Sequence, residues 1–128
     1  DTIHSKYLVP KSTMVSPASY EEVVKGMRQA VIGGTCRAAN IPGLDVCGKT
    51  GTAENSRGKD HSAFMGFAPM DAPKIAIAVY VENGGFGAEF GVPIGALMME
   101  KYLTGSLTEE SEKKAETISK KSIYYGEK

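Results

Sequence analysis

The chain has 128 residues, of which 41% are hydrophobic and 23% charged, the proportions of an ordinary soluble globular protein. Its length suits one small domain and not two. Fifteen acidic and fifteen basic residues cancel, so no excess charge indicates a nucleic-acid partner. No apolar run reaches the roughly 18 residues of a membrane span, and no signal peptide is visible. Because the chain begins at Asp1 without an initiator Met, we expect an excised, soluble piece of a longer protein.

The first predicted element is a helix that follows an irregular, extended lead-in over residues 1–15. Two caps are open at its start: Ser16 with Pro17 in the first turn, or Ser19 with Glu22 in a capping box. Glycines end the helix at Gly33-Gly34. Apolar residues recur between them at helical spacing and are expected to form core: Val23, Val24, Met27, Ala30 and Val31.

The two cysteines, Cys36 and Cys47, lie on either side of the next connection. Without paired histidines they do not make a zinc site. A disulfide across residues 37–46 is one alternative. Two small buried thiols are the favoured one, because free cysteine is usually buried.

The most informative stretch is a predicted strand over residues 45–53, which contains Gly48-Lys49-Thr50-Gly51-Thr52. Alternation along a strand places Thr50 and Thr52 on one face and Lys49 and Gly51 on the other. Two adjacent hydroxyls with an ammonium nearby make a receptor for a carboxylate. Gly51 leaves bare backbone that a ligand or another chain can approach closely. We therefore interpret this as a binding strand.

A second interpretation of the same letters is a P-loop, because Gly43 to Thr50 fits the pattern GxxxxGK[ST]. That motif needs a buried strand before it and a helix after it. Turn residues precede it here and poor helix formers follow it, so a nucleotide-binding module is the less favoured alternative.

Two more strands are predicted after a polar turn at 54–60. Residues 61–68 form the second strand and residues 74–82 the third, which is apolar on both faces and is therefore expected to be buried on both. Short links between three consecutive strands favour an antiparallel meander over βαβ units.

A second helix is predicted at about 90–103, with Pro93 in its first turn and Gly105 after its end. One face is expected to carry Ile94, Leu97, Met98 and Tyr102. The fold class is therefore α+β, with a three-stranded antiparallel meander packed against an N-terminal and a C-terminal helix. Residues 105–128 are charge-rich, with Glu–Lys pairs at helical spacing, and form a polar tail that is either a solvated helix or a disordered end.

Three segments together resemble a known family: Gly48 to Ala53, then His61 to Pro69, then Lys74 to Gly85. The first contains the Lys-Thr-Gly element of penicillin-recognising enzymes. Taken as a set over about residues 17–104, they resemble the C-terminal part of the transpeptidase domain of a class B penicillin-binding protein, with penicillin-binding protein 2 as the nearest type. The resemblance divides the chain into a transpeptidase portion, 1–104, and the tail, 105–128.

The resemblance implies a serine-type D-Ala-D-Ala transpeptidase that cross-links peptidoglycan stem peptides and binds β-lactams, without a cofactor or metal. It implies that Lys49, Thr50 and Thr52 bind the substrate carboxylate, that Gly51 lets the strand pass close to the nucleophile, and that the backbone N–H of Thr52 donates to the oxyanion. It also implies a parent anchored in the inner membrane, with this domain in the periplasm.

Half of such a site is absent from these 128 residues. SxxK occurs at Ser56–Lys59 and Ser111–Lys114, but both follow Lys49, whereas the family's nucleophile precedes it. Ser-x-Asn does not occur. We therefore expect the segment alone to be inactive. Because the strands that flank strand 74–82 would be missing, we expect Ile75–Val81 to pair with a second copy of the chain, or with the lead-in at Ile3–Val9 folded back. A non-catalytic domain that binds peptide along residues 61–68 is the remaining alternative.

Overall fold

The computed structural model describes residue 4 and residues 8–126. Its elements in chain order are α1 (Pro17–Ile32), a short 3₁₀ helix (Arg37–Ala39), β1 (Cys47–Ala53), β2 (His61–Ala68), β3 (Ile75–Val81), α2 (Gly91–Thr104) and α3 (Glu109–Ser119). Part of the predicted lead-in lies outside the described residues.

The three strands form one antiparallel sheet in the order β1-β2-β3, as the meander prediction required. Its register places Thr50 opposite Phe64 and Phe64 opposite Val79. The first strand begins two residues later than predicted, because Asp45 has a φ of 44°, a left-handed conformation that a strand cannot contain. The α+β class is confirmed.

The start of α1 settles the choice between its two caps. Ser16 is the N-cap, its side chain accepts a hydrogen bond from Ser19 N, and Pro17 occupies the first turn. The expected core stripe is only partly correct. Val31 is fully buried whereas Val23 is 60% exposed, because α1 packs only against β1 and the short 3₁₀ helix, and no other described element covers its remaining side.

The core lies between the sheet and α2, and the ring of Phe64 fills its centre. Glycines surround the ring on three sides. A Cβ at Gly95 would lie 2.6 Å from Phe64 Cδ1, one at Gly48 would lie 2.5 Å from Cε2, and one at Gly66 would lie 2.7 Å from Cζ. Any side chain at these positions would displace the ring, so the glycines let α2 and the sheet approach each other closely.

This close approach corrects the predicted face of α2. The buried side consists of Val92, Gly95, Ala96, Met99 and Glu100, whereas Met98 and Tyr102 are exposed. Small residues set the interface because a large side chain would hold the helix away from Phe64.

The third strand is also less buried than predicted. Its residues alternate between half-buried and exposed, with Tyr80 58% exposed. The half-buried residues Ile75, Ile77 and Val79 pack against the core, whereas no described element covers Ala76, Ala78 and Tyr80. The expectation that both faces are buried is therefore wrong for the described chain.

The tail contains an ordered helix, α3, that is attached to α2 by a buried carboxylate. Glu100 is 2% exposed and accepts hydrogen bonds from Thr108 N, at 3.0 Å, and from the Ser111 hydroxyl. Beyond α3, Lys121 Nζ lies 5.0 Å from the centre of the Phe90 ring. The tail is thus helical, as one alternative stated, but it is held at both ends of α2.

Candidate functional site

The predicted binding residues lie on β1, with Thr50 and Thr52 on one face and Lys49 on the other. Thr50 is opposite the buried Phe64, and Thr52 is opposite the buried Ser62. Lys49 is opposite Met65, which is 60% exposed. Thr50 is half-buried, while Thr52 and Lys49 are exposed. The alternation expected from the sequence therefore holds.

The backbone of Thr50 points away from β2, toward the outer edge of the sheet. Lys49 Nζ donates to Thr50 O at 2.9 Å, and the backbone N–H of Thr50 faces the thiol of Cys36. Because backbone groups two residues apart in a strand point to the same side, the N–H of Thr52 also points to this outer edge. Within the described part of the chain, no hydrogen bond is made by the Thr52 side chain or by that outward N–H.

Arg28 of α1 secures the beginning of the same edge. Its Nη1 donates to Val46 O at 3.0 Å, and its Nη2 lies 3.3 Å from Asp45 Oδ1. The side chains of Arg28 and Lys49 thus occupy this edge at Val46 O and Thr50 O. Among the described residues, the edge is open at Thr52.

Two residues that the sequence analysis did not assign to the site, Thr35 and Cys36, lie against the middle of β1. Thr35 Oγ1 is 2.9 Å from Thr50 Oγ1. Cys36 is fully buried, and burial raises the pKa of its thiol despite the nearby Thr35 hydroxyl, Thr50 N–H and Lys49. The Gly33-Gly34 pair was the signal in the sequence that could have indicated this placement, since two glycines allow a tight reversal of the chain.

Cys36 and Cys47 are both buried free thiols, as the favoured alternative expected. Burial also raises the pKa of Cys47, with Arg28 acting in the opposite direction.

The loop before α2 covers part of the face of β1 that carries Thr50. A Cβ at Gly87 would lie 2.5 Å from Ala63 O and 2.8 Å from Gly51 O, so only glycine allows the loop to approach β1 and β2 this closely. At Gly51 an added Cβ would lie 3.2 Å from Ala63 Cβ, a tight contact with the neighbouring strand. That Gly51 gives a ligand close access to the strand stays a prediction.

The two alternative interpretations of the sequence do not fit this geometry. Gly48, Lys49 and Thr50 lie inside β1, and β2 follows, so no helix begins where a P-loop requires one. The strand at His61–Ala68 is paired on both sides and has no free edge for a peptide. The geometry therefore supports neither a P-loop at Gly43–Thr50 nor the addition of a peptide strand to β2.

The two SxxK matches lie away from Lys49. Ser56 is exposed in the turn between β1 and β2, and Ser111 is buried at the start of α3, where its hydroxyl donates to Glu100. Among residue 4 and residues 8–126, no group of three metal-ligating side chains is assembled, and no helix is long and apolar enough to cross a membrane.

An α+β fold with helices against an antiparallel sheet, and a threonine-lined outer strand with a lysine beside it, defines the class: the β-lactamase/transpeptidase-like fold. Penicillin-binding protein A from M. tuberculosis, solved as an imipenem acyl-enzyme complex, matches with a TM-score of 0.63 and 35% identity over 73% of this chain and 21% of that one. Pseudomonas aeruginosa PBP2 in complex with WCK 5153 matches with a TM-score of 0.60 and 38% identity over 80% of this chain and 24% of that one.

The profile of the penicillin binding protein transpeptidase domain matches residues 2–100, and the chain belongs to this family. A curated relative, peptidoglycan D,D-transpeptidase PbpA of Mycobacterium tuberculosis, is 40% identical over 74 residues, which are 51% of this chain and 15% of the relative. The match thus spans about 15% of that relative's length. The predicted resemblance is confirmed, and α3 lies beyond the matched residues.

Proposed function

We propose that this chain is the segment of a peptidoglycan D,D-transpeptidase that binds the terminal carboxylate of the substrate and donates one hydrogen bond to the oxyanion. One observation carries the proposal. The hydroxyls of Thr50 and Thr52 share a face of β1 next to the outward N–H of Thr52, which has no partner within the described residues.

Each group has a distinct task in this proposal. The Thr50 and Thr52 hydroxyls donate to the carboxylate, and the ammonium of Lys49 adds a positive charge at the same edge. The Thr52 N–H is already directed outward, so it stabilises the negative oxygen that develops during acyl transfer without first reorganising. Gly51 keeps the strand free of a side chain where the attacking group approaches.

The attacking group belongs to the rest of the protein in this proposal. A serine activated by a lysine attacks the acyl-D-alanine carbonyl, an acyl-enzyme forms, and D-alanine leaves. A second stem peptide then takes the acyl group. β-Lactams acylate the same serine. We place this domain in the periplasm, with the parent protein anchored in the inner membrane, where peptidoglycan is built.

Two substitutions in the intact transpeptidase test the carboxylate receptor. Lys49→Ala removes a charge-assisted interaction and is expected to slow acylation by penicillin about 100-fold, the loss of roughly 2–3 kcal/mol of transition-state stabilisation. Thr50→Val removes one hydroxyl and is expected to slow acylation less. Stopped-flow measurement with a fluorescent penicillin gives both rates, and Lys74→Ala, outside β1, is the control. Parental rates for both variants would contradict the proposed role.

The segment alone provides a complementary test. We expect no β-lactam adduct on these 128 residues, because Ser56 lies in the exposed turn after β1 and Ser111 is buried at the start of α3, where it donates to Glu100. Denaturing mass spectrometry after incubation with penicillin measures this directly. A stoichiometric adduct on either serine would show that the segment carries its own nucleophile.

A further inference from the structure

We infer that Thr35 is a positioning residue of the carboxylate receptor, which sets the direction in which the Thr50 hydroxyl donates its proton. The inference rests on the proposed function, in which Thr50 binds a carboxylate. Its observation is the 2.9 Å contact between Thr35 Oγ1 and Thr50 Oγ1, two side chains that are 15 residues apart in the sequence.

The backbone fixes Thr35 before any ligand binds. Both Gly34 N and Cys36 N donate to Ala30 O, at 3.1 and 3.0 Å, so the chain reverses tightly at the end of α1. A Cβ at Gly34 would lie 2.8 Å from Ala30 Cα, which makes glycine necessary for this reversal. Cys36, the residue after Thr35, is fully buried beside β1. The backbone is therefore fixed on both sides of Thr35, by the close packing of Gly34 on Ala30 and by the buried Cys36.

Which hydroxyl of the pair donates the hydrogen bond follows from the protons that each group has available. Each threonine hydroxyl has one proton, and either oxygen can be the donor in the free protein. An ionised carboxylate only accepts hydrogen bonds, so a bound carboxylate takes the proton of Thr50. Thr50 Oγ1 can then interact with Thr35 only as an acceptor, and Thr35 becomes the donor.

This chain from Thr35 to Thr50 to carboxylate has two effects. It restricts the rotation of the Thr50 side chain, which reduces the entropy lost on binding. It also polarises the Thr50 hydroxyl, because hydrogen bonds in a chain strengthen one another. A carboxylate-bearing ligand benefits from both effects, whereas an ester benefits much less, since it presents no negative charge to the polarised hydroxyl.

The test uses the intact transpeptidase and two probes, benzylpenicillin and its methyl ester. Thr35→Val is expected to slow acylation by benzylpenicillin about five-fold, the worth of one net hydrogen bond, and acylation by the ester less than about two-fold. Thr35→Ser retains a hydroxyl and is expected to restore most of the rate. Thr13→Val is the matched control, because Thr13 also forms an exposed hydroxyl pair, 2.8 Å from the Tyr20 hydroxyl, away from β1.

A double-mutant cycle with Thr50→Val separates this inference from the function on which it rests. If Thr35 acts through Thr50, Thr35→Val has no further effect once Thr50 is valine. Equal slowing with acid and ester, or a full effect of Thr35→Val in the Thr50→Val background, would overturn the inference and leave Thr35 with a structural role. If Thr50→Val itself leaves acylation by benzylpenicillin unchanged, the proposed carboxylate receptor is wrong instead.

Discussion

The two outer edges of the sheet have the same kind of backbone but different surroundings. At the edge of β1, the chain's own side chains reach the outward groups: Arg28 donates to Val46 O and Lys49 to Thr50 O. At the other edge, the direction of the β3 backbone follows from that of Thr50, because hydrogen-bonding direction alternates along each strand and the register links the strands. The N–H groups of Ala76, Ala78 and Tyr80 therefore point outward. Among the described residues, no group accepts a hydrogen bond from these N–H groups.

The difference indicates two kinds of edge. The β1 edge is occupied at Val46 and Thr50 and open at Thr52, which is consistent with the small carboxylate of the proposed function. The outer edge of β3 is unpaired among the described residues and lies beside an apolar surface that includes Met65 and Tyr80, 60% and 58% exposed. An unpaired edge of this kind favours the addition of another strand. We propose that in the intact protein further strands of the domain occupy it, and that in the isolated segment a second copy does.

The largest expected effect is on the stability of the sheet that carries both edges. Phe64→Ala removes the ring that fills the space between three glycines and is expected to destabilise the segment by about 3–5 kcal/mol. Urea unfolding followed by circular dichroism measures the change. Met65→Ala, on the same strand but the exposed face, is the control and should change the stability by less than about 0.5 kcal/mol. Similar losses for both variants would mean that the open face is not open in solution.

The next prediction concerns self-association at the β3 edge. The N–H of Ala78 points outward, so Ala78→Pro removes a donor from the edge without removing a bond to β2. We expect the segment to form dimers that Ala78→Pro weakens at least about ten-fold, or roughly 1.4 kcal/mol. Light scattering across a concentration series measures this.

Ala78→Thr is the matched control, because it keeps the N–H and suits a strand. A parental segment that stays monomeric would contradict self-association. Dimers that survive Ala78→Pro would place the contact elsewhere, with α1 and its exposed Val23 as the next surface to test. Pairing with the lead-in at residues 3–9 stays a prediction, since most of those residues lie outside the described part.

The smallest expected effect is on the attachment of α3 to α2. It should leave both edges of the sheet unchanged. Burial of Glu100 raises its pKa, but hydrogen bonds from Ser111 and Thr108 and the charge of Lys114 outweigh this, so the pKa lies below its ordinary value of 4.5. A lowered folded-state pKa contributes stability above pH 4.5, and this contribution is lost as the pH falls through the folded-state value. We therefore expect α3 to detach in acid while the sheet persists.

Glu100→Gln should weaken the attachment of α3 by about 1 kcal/mol at neutral pH and have little effect in acid. Amide hydrogen exchange in residues 109–119 across a pH series reports the detachment. Glu110→Gln is the control, because Glu110 is an exposed ion-pair partner of Lys114. Simultaneous loss of protection in β1 would show that the tail also supports the binding edge.

The strand β1 could be predicted because its signals are local. Thr50 and Thr52 alternate with Lys49 and Gly51 in any strand, and the polar turn after Ala53 limits the choice to a hairpin. The burial of α2 and β3 could not be predicted in the same way. Met98 and Ala78 are as apolar as buried residues, and their exposure depends on which other elements are present to cover them.

The sequence by itself therefore determined the α+β class, the meander and the motif on β1, because secondary structure follows from short-range spacing and the motif is contiguous. The tertiary structure alone decided which neighbours that motif has. Thr35 reaches Thr50 only because a glycine reversal returns the chain to β1 after α1, and Glu100 holds α3 only because two helices meet there. Such contacts join residues far apart in the sequence, and no local pattern of side chains specifies them.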